Sequence, residues 1–316
     1  MTTYSIFRIF DSPREERTLL VKEDKVSSKT TIAIGPERDQ PTWRWVGFDL
    51  GRELSKYFNM KFFEKRRIPP CDALILIKEP LPLCLFDRLN LDHVIYFPCD
   101  HYRRKEDIEK DRFLERCSCI VSHSKELADT LKRFNPNVFL INHNGKYVLP
   151  KMNDYKKDGF VLWIGFSIYI PYLRQWLLKH PLEKELVILT DWPNEERIPG
   201  NVTQLRWTPK LQFKLMSSAK AAMDIKGEDF YQWVKPPEKL QTFIASGIPS
   251  ACNPGPIRAF LKSLGFGLCA PDETERWFSR EYYDDTVQFG RRLREEMSLE
   301  KIGRDVKEIV DGTLAK

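Results

Sequence analysis

The residues best placed to do chemistry lie in AAMDIKGEDFYQWVKPPEKLQTFIASGIPSACNPG, residues 221–255. An apolar run ends at Asp224-Ile225, and a polar, aromatic loop follows. Pro236-Pro237 then opens a helix that Gly247 closes. Proline is tolerated in a first turn, where the N–H has no intrahelical partner, and Gly247-Ile248-Pro249 stops the helix and feeds the next strand. The pattern predicts an exposed helix start at the carboxyl end of a sheet, where free N–H groups and the helix dipole attract phosphate. Lys235 and Lys239 flank that start. A cation there opposes the dipole, so a purely structural lysine is slightly unfavourable and a diphosphate partner is the better reason for it. The plain alternative is a solvated lysine.

Activating a hydroxyl for attack needs a base at a strand tip. Asp100-His101 follows the apolar run HVIYFP, residues 93–98, whose Pro98 breaks the ladder and turns the chain out at the ligand-binding edge. Asp100 is the first candidate base and His101 the second. The competing reading makes Asp100 a cap for the basic helix at Arg103-Arg104-Lys105. His123 and His143 end the next two strand candidates and read more simply as hydrogen-bonded structural histidines. Gly165, before Phe166-Ser167, offers either a second phosphate-facing turn or a close helix–strand contact. Asp191-Trp192 and Trp207-Thr208 end neighbouring strands. Either indole is able to stack on a nucleobase or to pack in the core or rim. In the loop after Gly35-Pro36, Trp43 and Trp45 near Arg38, Asp39 and Arg44 line a pocket or anchor a helix. Cys117 and Cys119, alternating on one strand, should share a face and are expected to be small core residues rather than half a metal site. No GxGxxG is present, which argues against a dinucleotide, and no cofactor or metal is expected.

These positions need a scaffold, and apolar strand followed by amphipathic helix recurs along the chain, the pattern of parallel sheets with crossover helices. In the first half, strands are expected at 30–35, 60–65, 72–78, 93–98, 118–123 and 137–142. Helices are expected at 45–58, 104–116 and 125–134, the last opened by Ser124 and stopped by Asn135-Pro136. Residues 149–159 read as a linker. The alternation then restarts, with strands at 160–166, 185–191, 202–207, 221–226, 250–254 and 266–271. Helices fall near 168–179, 209–219, 237–246, 256–264 and 273–279. The expectation is an α/β protein of two Rossmann-like, doubly wound domains facing a cleft. Their boundaries are 1–150 and 151–280, with a helical tail over 281–316 that crosses back to the first. YSIFRIF and RTLLVK near the start make a hairpin or an added edge strand.

Segment 221–255 resembles the donor-binding region of GT-B glycosyltransferases of the glycogen-synthase and sucrose-synthase type. Its members read as an Asp-Ile strand end, a polar loop, Pro-x-Lys-Leu, a helix, and Ala-x-Gly-x-Pro before a strand. Here these are Asp224-Ile225, Pro237-Glu238-Lys239-Leu240 and Ala245-Ser246-Gly247-Ile248-Pro249. SCIVSHSKELADTL (118–131) resembles the last strand-turn-helix of their first domain. INHNGKYV (141–148) resembles the turn before their linker, and SLEKIGRDVKEIVDGTL (298–314) their C-terminal helix. The resemblance implies the GT-B fold and metal-independent transfer of a hexosyl or related sugar from a nucleoside diphosphate-sugar to an acceptor hydroxyl. The diphosphate is then neutralised by the helix start and Lys239. One departure stands out. Where many relatives carry a glutamate for the donor ribose hydroxyls, this chain has Thr242. A threonine hydroxyl makes one hydrogen bond but is not a two-oxygen acceptor, which leaves Glu238 or Gln241 as substitutes. Glu228 or Asp229 would fill the family's earlier acidic position.

A chain of 316 residues suits two domains, and 42% hydrophobic with 30% charged residues excludes a disordered protein. No apolar run approaches the ~18 residues of a membrane span, and MTTYSIFRIFDSPREER lacks the apolar centre of a signal peptide. A cytoplasmic protein without a transmembrane segment is expected. A net charge of +6 suits nucleotide, membrane-surface or nucleic-acid partners without choosing among them. The acceptor is therefore open: a glycan, a small molecule or a nucleic acid. Two further readings remain, a non-catalytic nucleotide- or glycan-binding protein on the same fold, suggested by Thr242, and a nucleic-acid-base glycosyltransferase of phage type, suggested by the basic balance.

Overall fold

Short apolar runs that must be covered on both faces produce two all-parallel sheets with helices on either side. The computed structural model describes residues 4–12, 15–22, 29–40, 42–65, 67–89, 91–193 and 197–316. Arg66 of the basic cluster Lys65-Arg66-Arg67 and parts of the N-terminal segment lie outside them. β1 (Tyr4–Ser12) and β2 (Glu15–Lys22) form an antiparallel hairpin, paired only with each other among the described residues.

The first parallel sheet contains β3 (Thr31–Glu37), β4 (Asn59–Glu64), β5 (Ala73–Ile77), β6 (Val94–Phe97), β7 (Cys119–Ser122) and β8 (Val138–Leu140), in the order β4-β3-β5-β6-β7-β8. One face is covered by α1 (Asp49–Leu54), and the other by α2 (Leu83–Leu89), α3 (Lys105–Lys110) and α4 (Lys125–Leu131). The second sheet contains β9 (Val161–Ile164), β10 (Leu186–Thr190), β11 (Val202–Arg206), β12 (Ala221–Asp224) and β13 (Ser250–Cys252), in the order β11-β10-β9-β12-β13. Around it pack α5 (Ile170–Lys179), α6 (Pro209–Ser218), α8 (Glu238–Ala245), α9 (Gly255–Ser263), α10 (Thr274–Trp277) and α11 (Arg280–Glu296). The short α7 (Phe230–Trp233) lies in the loop between β12 and α8. The last helix, α12 (Leu299–Leu314), buries Ile302, Val306, Ile309 and Val310 in the core of the first sheet, beside α1. No helix of the described residues is long and apolar enough to cross a membrane.

Each sheet has one place where successive crossovers leave in opposite directions, between β3 and β5 in the first and between β9 and β12 in the second. Loops diverge there at the carboxyl ends of the strands and leave a crevice.

Several elements differ from the sequence pattern. The helix expected at 45–58 is a π-helix from Trp43 to Phe48 that runs into α1 and stops at Leu54. Gly47 leaves room for the Trp43 ring, which a Cβ would strike. The helix expected at 104–116 breaks at Asp111, whose carboxylate accepts from Tyr102 Oη at 2.6 Å and from the Phe113 N–H at 3.0 Å. The strand expected at 266–271 is reduced to one parallel bridge between Ala251 and Cys269. The Tyr282 hydroxyl lies 3.2 Å from the Cys269 N–H and donates to Ser250 O at 2.6 Å, taking the place of ladder partners. Pro237 is the N-cap of α8 rather than part of its first turn. Cys117 and Cys119 lie in the clusters on opposite faces of the first sheet, because Cys117 precedes the strand and follows no alternation.

The packing of α12 generates a direct test. Ile302→Ala is expected to lower stability by about 2–5 kcal/mol, the usual cost of truncating a buried aliphatic side chain. Urea titration of the variant measures it, and an unchanged midpoint would show that α12 is not docked on the first sheet.

Candidate functional site

The second switch point is organised around one carboxylate. Asp224 ends β12 and is 2% exposed. Its Oδ1 lies 3.0 Å from Lys239 Nζ and its Oδ2 3.2 Å from Lys226 Nζ. Lys239 Nζ also donates to Ile164 O at 3.0 Å, at the tip of β9, so α8 is tied across the crevice to the neighbouring strand. Burial alone would raise the Asp224 pKa. The Lys226 and Lys239 charges outweigh it and hold the group below the usual carboxylate range. Two ammonium groups thus share one carboxylate, leaving one positive charge in excess. Lys226 is itself buried, and its backbone is gripped by the Asn253 side chain through bonds of 2.9 and 2.8 Å.

Lys235 brings a third ammonium to the same place. Its Nζ lies 3.7 Å from the centre of the Tyr169 ring and 4.3 Å from that of Tyr231, with no carboxylate in ion-pair range among the described residues. Burial first, then the Lys226 and Lys239 charges, pulls Lys235 down to about 7. Glu238, at the start of α8, is pushed the other way: burial raises its carboxyl to about 7. Thr242 sits one turn on, 2% exposed, with its hydroxyl 3.5 Å from Glu238 Oε1. Thr242 is therefore enclosed, and Glu238 is the more open of the two. Gln241 spends its amide on Asn142 Oδ1, at 3.0 Å. Asp229 caps α7 and accepts from Tyr172 Oη at 2.9 Å, while Glu228 is exposed.

Gly165 follows β9, and a Cβ there would strike the Trp163 ring, so the close contact requires glycine. Asp191 Oδ1 accepts from the Ser167 N–H at 2.7 Å and from Thr190 Oγ1 at 3.0 Å, joining the loops after β9 and β10. Burial raises its pKa, and these bonds more than reverse the effect. Trp207 turns back towards α6, donating from Nε1 to Gln212 Oε1 at 2.6 Å and meeting Tyr147 edge-on. The open indole is Trp192, 64% exposed with the Arg206 guanidinium over its ring.

On the first sheet, Cys99 with φ of 51° turns the chain out of β6 and presents Asp100. Lys78 Nζ, at the tip of β5, lies 2.7 Å from Asp100 Oδ1, and Tyr231 Oη donates to Oδ2 at 3.3 Å. The hydroxyl from the second half places Asp100 where the two halves meet. Burial raises the Asp100 pKa, and Lys78 more than offsets this, so the group is held down and ionised at neutral pH. Asp100 is not the cap of α3. That end uses Asp107, whose carboxylate accepts the Arg104 N–H at 3.0 Å. His101 packs edge-on against Tyr102, and burial lowers its pKa. His123 and His143 lie with ring centres 4.9 Å apart, both buried. Burial holds them at about 3 and about 4, so both are neutral. His123 Nδ1 donates to Ile141 O at 2.9 Å. Trp43 is buried and edge-on to Phe62, whereas Trp45 meets Tyr147 and His143.

Lys226, Lys78, Tyr169 and Tyr231 were not singled out by the sequence. Lys226, two residues after Asp224, had the clearest available signal: on an extended chain, i and i+2 share a face.

Two all-parallel sheets, with strand-tip loops meeting across a crevice and a closing helix returned to the first sheet, define the GT-B fold of glycosyltransferases. Among solved structures, the chain is similar to AviGT4, a glycosyltransferase involved in avilamycin A biosynthesis, at 13% identity over 90% of this chain and 98% of that one, with a TM-score of 0.54. It is similar to sucrose-phosphate synthase (tll1590) from Thermosynechococcus elongatus at 12% identity over 78% and 74%, with a TM-score of 0.52. The lipopolysaccharide outer core galactosyltransferase WaaB matches at 10% identity over 82% and 98%, with a TM-score of 0.50. No model of a known protein family and no curated protein matches the sequence.

Lys235 and Glu238 give stability two opposed pH windows. Glu238 holds its proton more tightly in the folded protein, so its contribution is full below about 4.5 and is lost as pH rises through about 7. Lys235 gives up its proton more readily when folded, so its contribution is full above about 10.5 and is lost as pH falls through about 7. Lys235→Met should flatten the rise in stability between about pH 7 and 10, and Glu238→Gln the fall between about 4.5 and 7. Denaturant titrations across pH measure both slopes, and variant curves parallel to the parent's would show that neither group is perturbed.

Proposed function

We propose that this protein transfers a sugar from a nucleoside diphosphate-sugar to an acceptor hydroxyl, and that lysines and a helix start neutralise the diphosphate without a metal. One observation carries the reading. Lys226 and Lys239 share Asp224, Lys235 has no carboxylate in ion-pair range among the described residues, and all three stand at the switch point of the second sheet. A diphosphate supplies the missing negative charge, and the N-terminus of α8 adds its dipole. The fold supports the same class of chemistry.

In this proposal, Lys235 and Lys239 meet the phosphates, Gly165 and Asp191 shape the loops beside them, and Glu238 takes the ribose hydroxyls in place of Thr242. Trp192 is the better-exposed indole for a nucleobase, and Trp207 the second candidate. Asp100, kept ionised by Lys78, receives the acceptor proton in a direct displacement. The acceptor oxygen bonds to the anomeric carbon while the bond to the phosphate oxygen breaks, and that electron pair stays on the diphosphate. His101, beside Asp100, is the second candidate for that proton. Glycan or small-molecule acceptors suit such a cleft. The enclosed Thr242 favours the competing reading, a nucleotide-binding protein without turnover.

Calorimetry with uridine, guanosine and adenosine diphosphates in chelator tests the donor site. At least one should bind with net proton uptake between about pH 7 and 9, because an anion restores the Lys235 proton. Lys235→Met should weaken that binding by about 10- to 100-fold, the range of a lost charged hydrogen bond. Lys239→Ala should also destabilise the fold, since Asp224 then keeps one lysine. Absence of binding by every nucleoside diphosphate would overturn the reading.

Asp100→Asn separates transfer from binding. Turnover of the bound donor should fall by about 100-fold or more while nucleotide affinity persists. A variant of normal rate removes Asp100 from the mechanism.

A further inference from the structure

Residues 227–237 leave the second sheet at β12 and return to it at α8, yet two of their apolar side chains, Phe230 and Val234, pack in the first half. Val234, 4% exposed, belongs to the packed cluster of Leu74, Leu76, Phe86 and Tyr96, and Phe230 packs against the same cluster. Between them, Tyr231 sets its hydroxyl on Asp100. Its ring also meets the Arg103 guanidinium, 5.0 Å from its centre, and the Lys235 ammonium, at 4.3 Å. The outgoing end is pinned to the second half, through Asn253 on the Lys226 backbone and through the Tyr172 hydroxyl on Asp229. A side chain at Gly227 would come within 2.5 Å of the Tyr172 ring, so this pinning depends on glycine.

We propose that residues 227–237 are a strap that clasps the two halves across the cleft, and that ligand exchange proceeds by undocking Phe230 and Val234 from the first half. The strap carries Lys235 and covers Asp100, so one movement exposes both sides of the site. Its hold is made for opening. It consists of one four-residue helix, two apolar side chains, one hydroxyl and the Arg103 guanidinium on the Tyr231 ring, and it shares no ladder with either sheet. Segments with so few buried contacts open at far lower cost than core strands, and such openings commonly set ligand release. The clasp itself is independent of what the cleft binds; only the link to nucleotide release rests on the donor reading.

The double variant Phe230→Ala, Val234→Ala tests the clasp. In hydrogen exchange without nucleotide, amides of 228–235 and of the contacted loop 99–104 should exchange about ten-fold faster or more, while those of β5 and β6 keep the parent's protection. The radius of gyration from small-angle scattering should increase. Uridine, guanosine and adenosine diphosphates are the probes for release, and the one that binds should dissociate about ten-fold faster in stopped flow. Parent-like exchange and radius would overturn the clasp. Altered exchange and radius with nucleotide dissociation unchanged would overturn its role in ligand exchange. Faster exchange and a larger radius in a protein that binds no nucleotide would leave the clasp standing and remove the donor reading. If the double variant loses its near-ultraviolet dichroism, Phe230→Leu alone carries the same measurements, because it keeps an apolar side chain and changes only the fit.

Discussion

A carboxylate buried at a strand tip with two lysines on it governs how the second half is put together. Asp224 must stay ionised to hold Lys226 and Lys239, and they must stay close to keep it ionised. Removing Asp224 would strand two lysines without a counter-charge, and removing either lysine would leave the buried carboxylate with a single partner, so each loss costs more than that of an exposed ion pair. The same bonds set the geometry around the crevice. Lys239 reaches Ile164 O and so fixes the start of α8 relative to β9, while Lys226 fixes the root of the strap through Asn253. The arrangement is positive by one charge before Lys235 is counted.

The segment that connects the halves is held by hydrogen bonds to its open carbonyls. Arg294 of α11 donates to Ala245 O at the end of α8, to Leu149 O at 2.8 Å and to Pro150 O at 3.0 Å. One guanidinium therefore closes a helix end and holds the connecting segment between the sheets, using a fixed fork of donors that a lysine lacks. Gly247, with φ of 73°, finishes the same turn in a backbone region that favours glycine, and lies against Asn153. From there α12 returns to the first sheet.

Burial sorts the titratable groups into two kinds. His123 and His143 are enclosed and neutral, and serve packing. Lys235 and Glu238 stand near neutrality for opposite reasons, a buried cation made easier to discharge and a buried acid made harder. Groups so placed respond to the arrival of an anion by changing protonation, which couples binding to pH without further machinery.

Local pattern was enough to read the parallel sheets and the helix that Gly247 ends, because strand burial, proline and glycine act within a few residues. The same pattern singled out Lys235, Lys239 and Asp100 as candidates. It misread elements whose form is set at a distance. The sixth strand of the second sheet shrinks to a bridge because the Tyr282 hydroxyl, from a later helix, occupies its ladder. The helix after Arg104 breaks because Asp111 is drawn to Tyr102 and Phe113. Thr242 looks like a weakened ligand in sequence, yet it is sealed beneath Glu238. Lys239 reads as a surface cation and is instead folded onto Asp224. Lys78 and Tyr231 gain meaning only from what the fold brings to them. Periodicity and turn chemistry are properties of neighbours in the chain, and they determined the elements. Which charges share a carboxylate, and which loop enters the other half, depends on contacts between distant residues, and only the tertiary structure decided them.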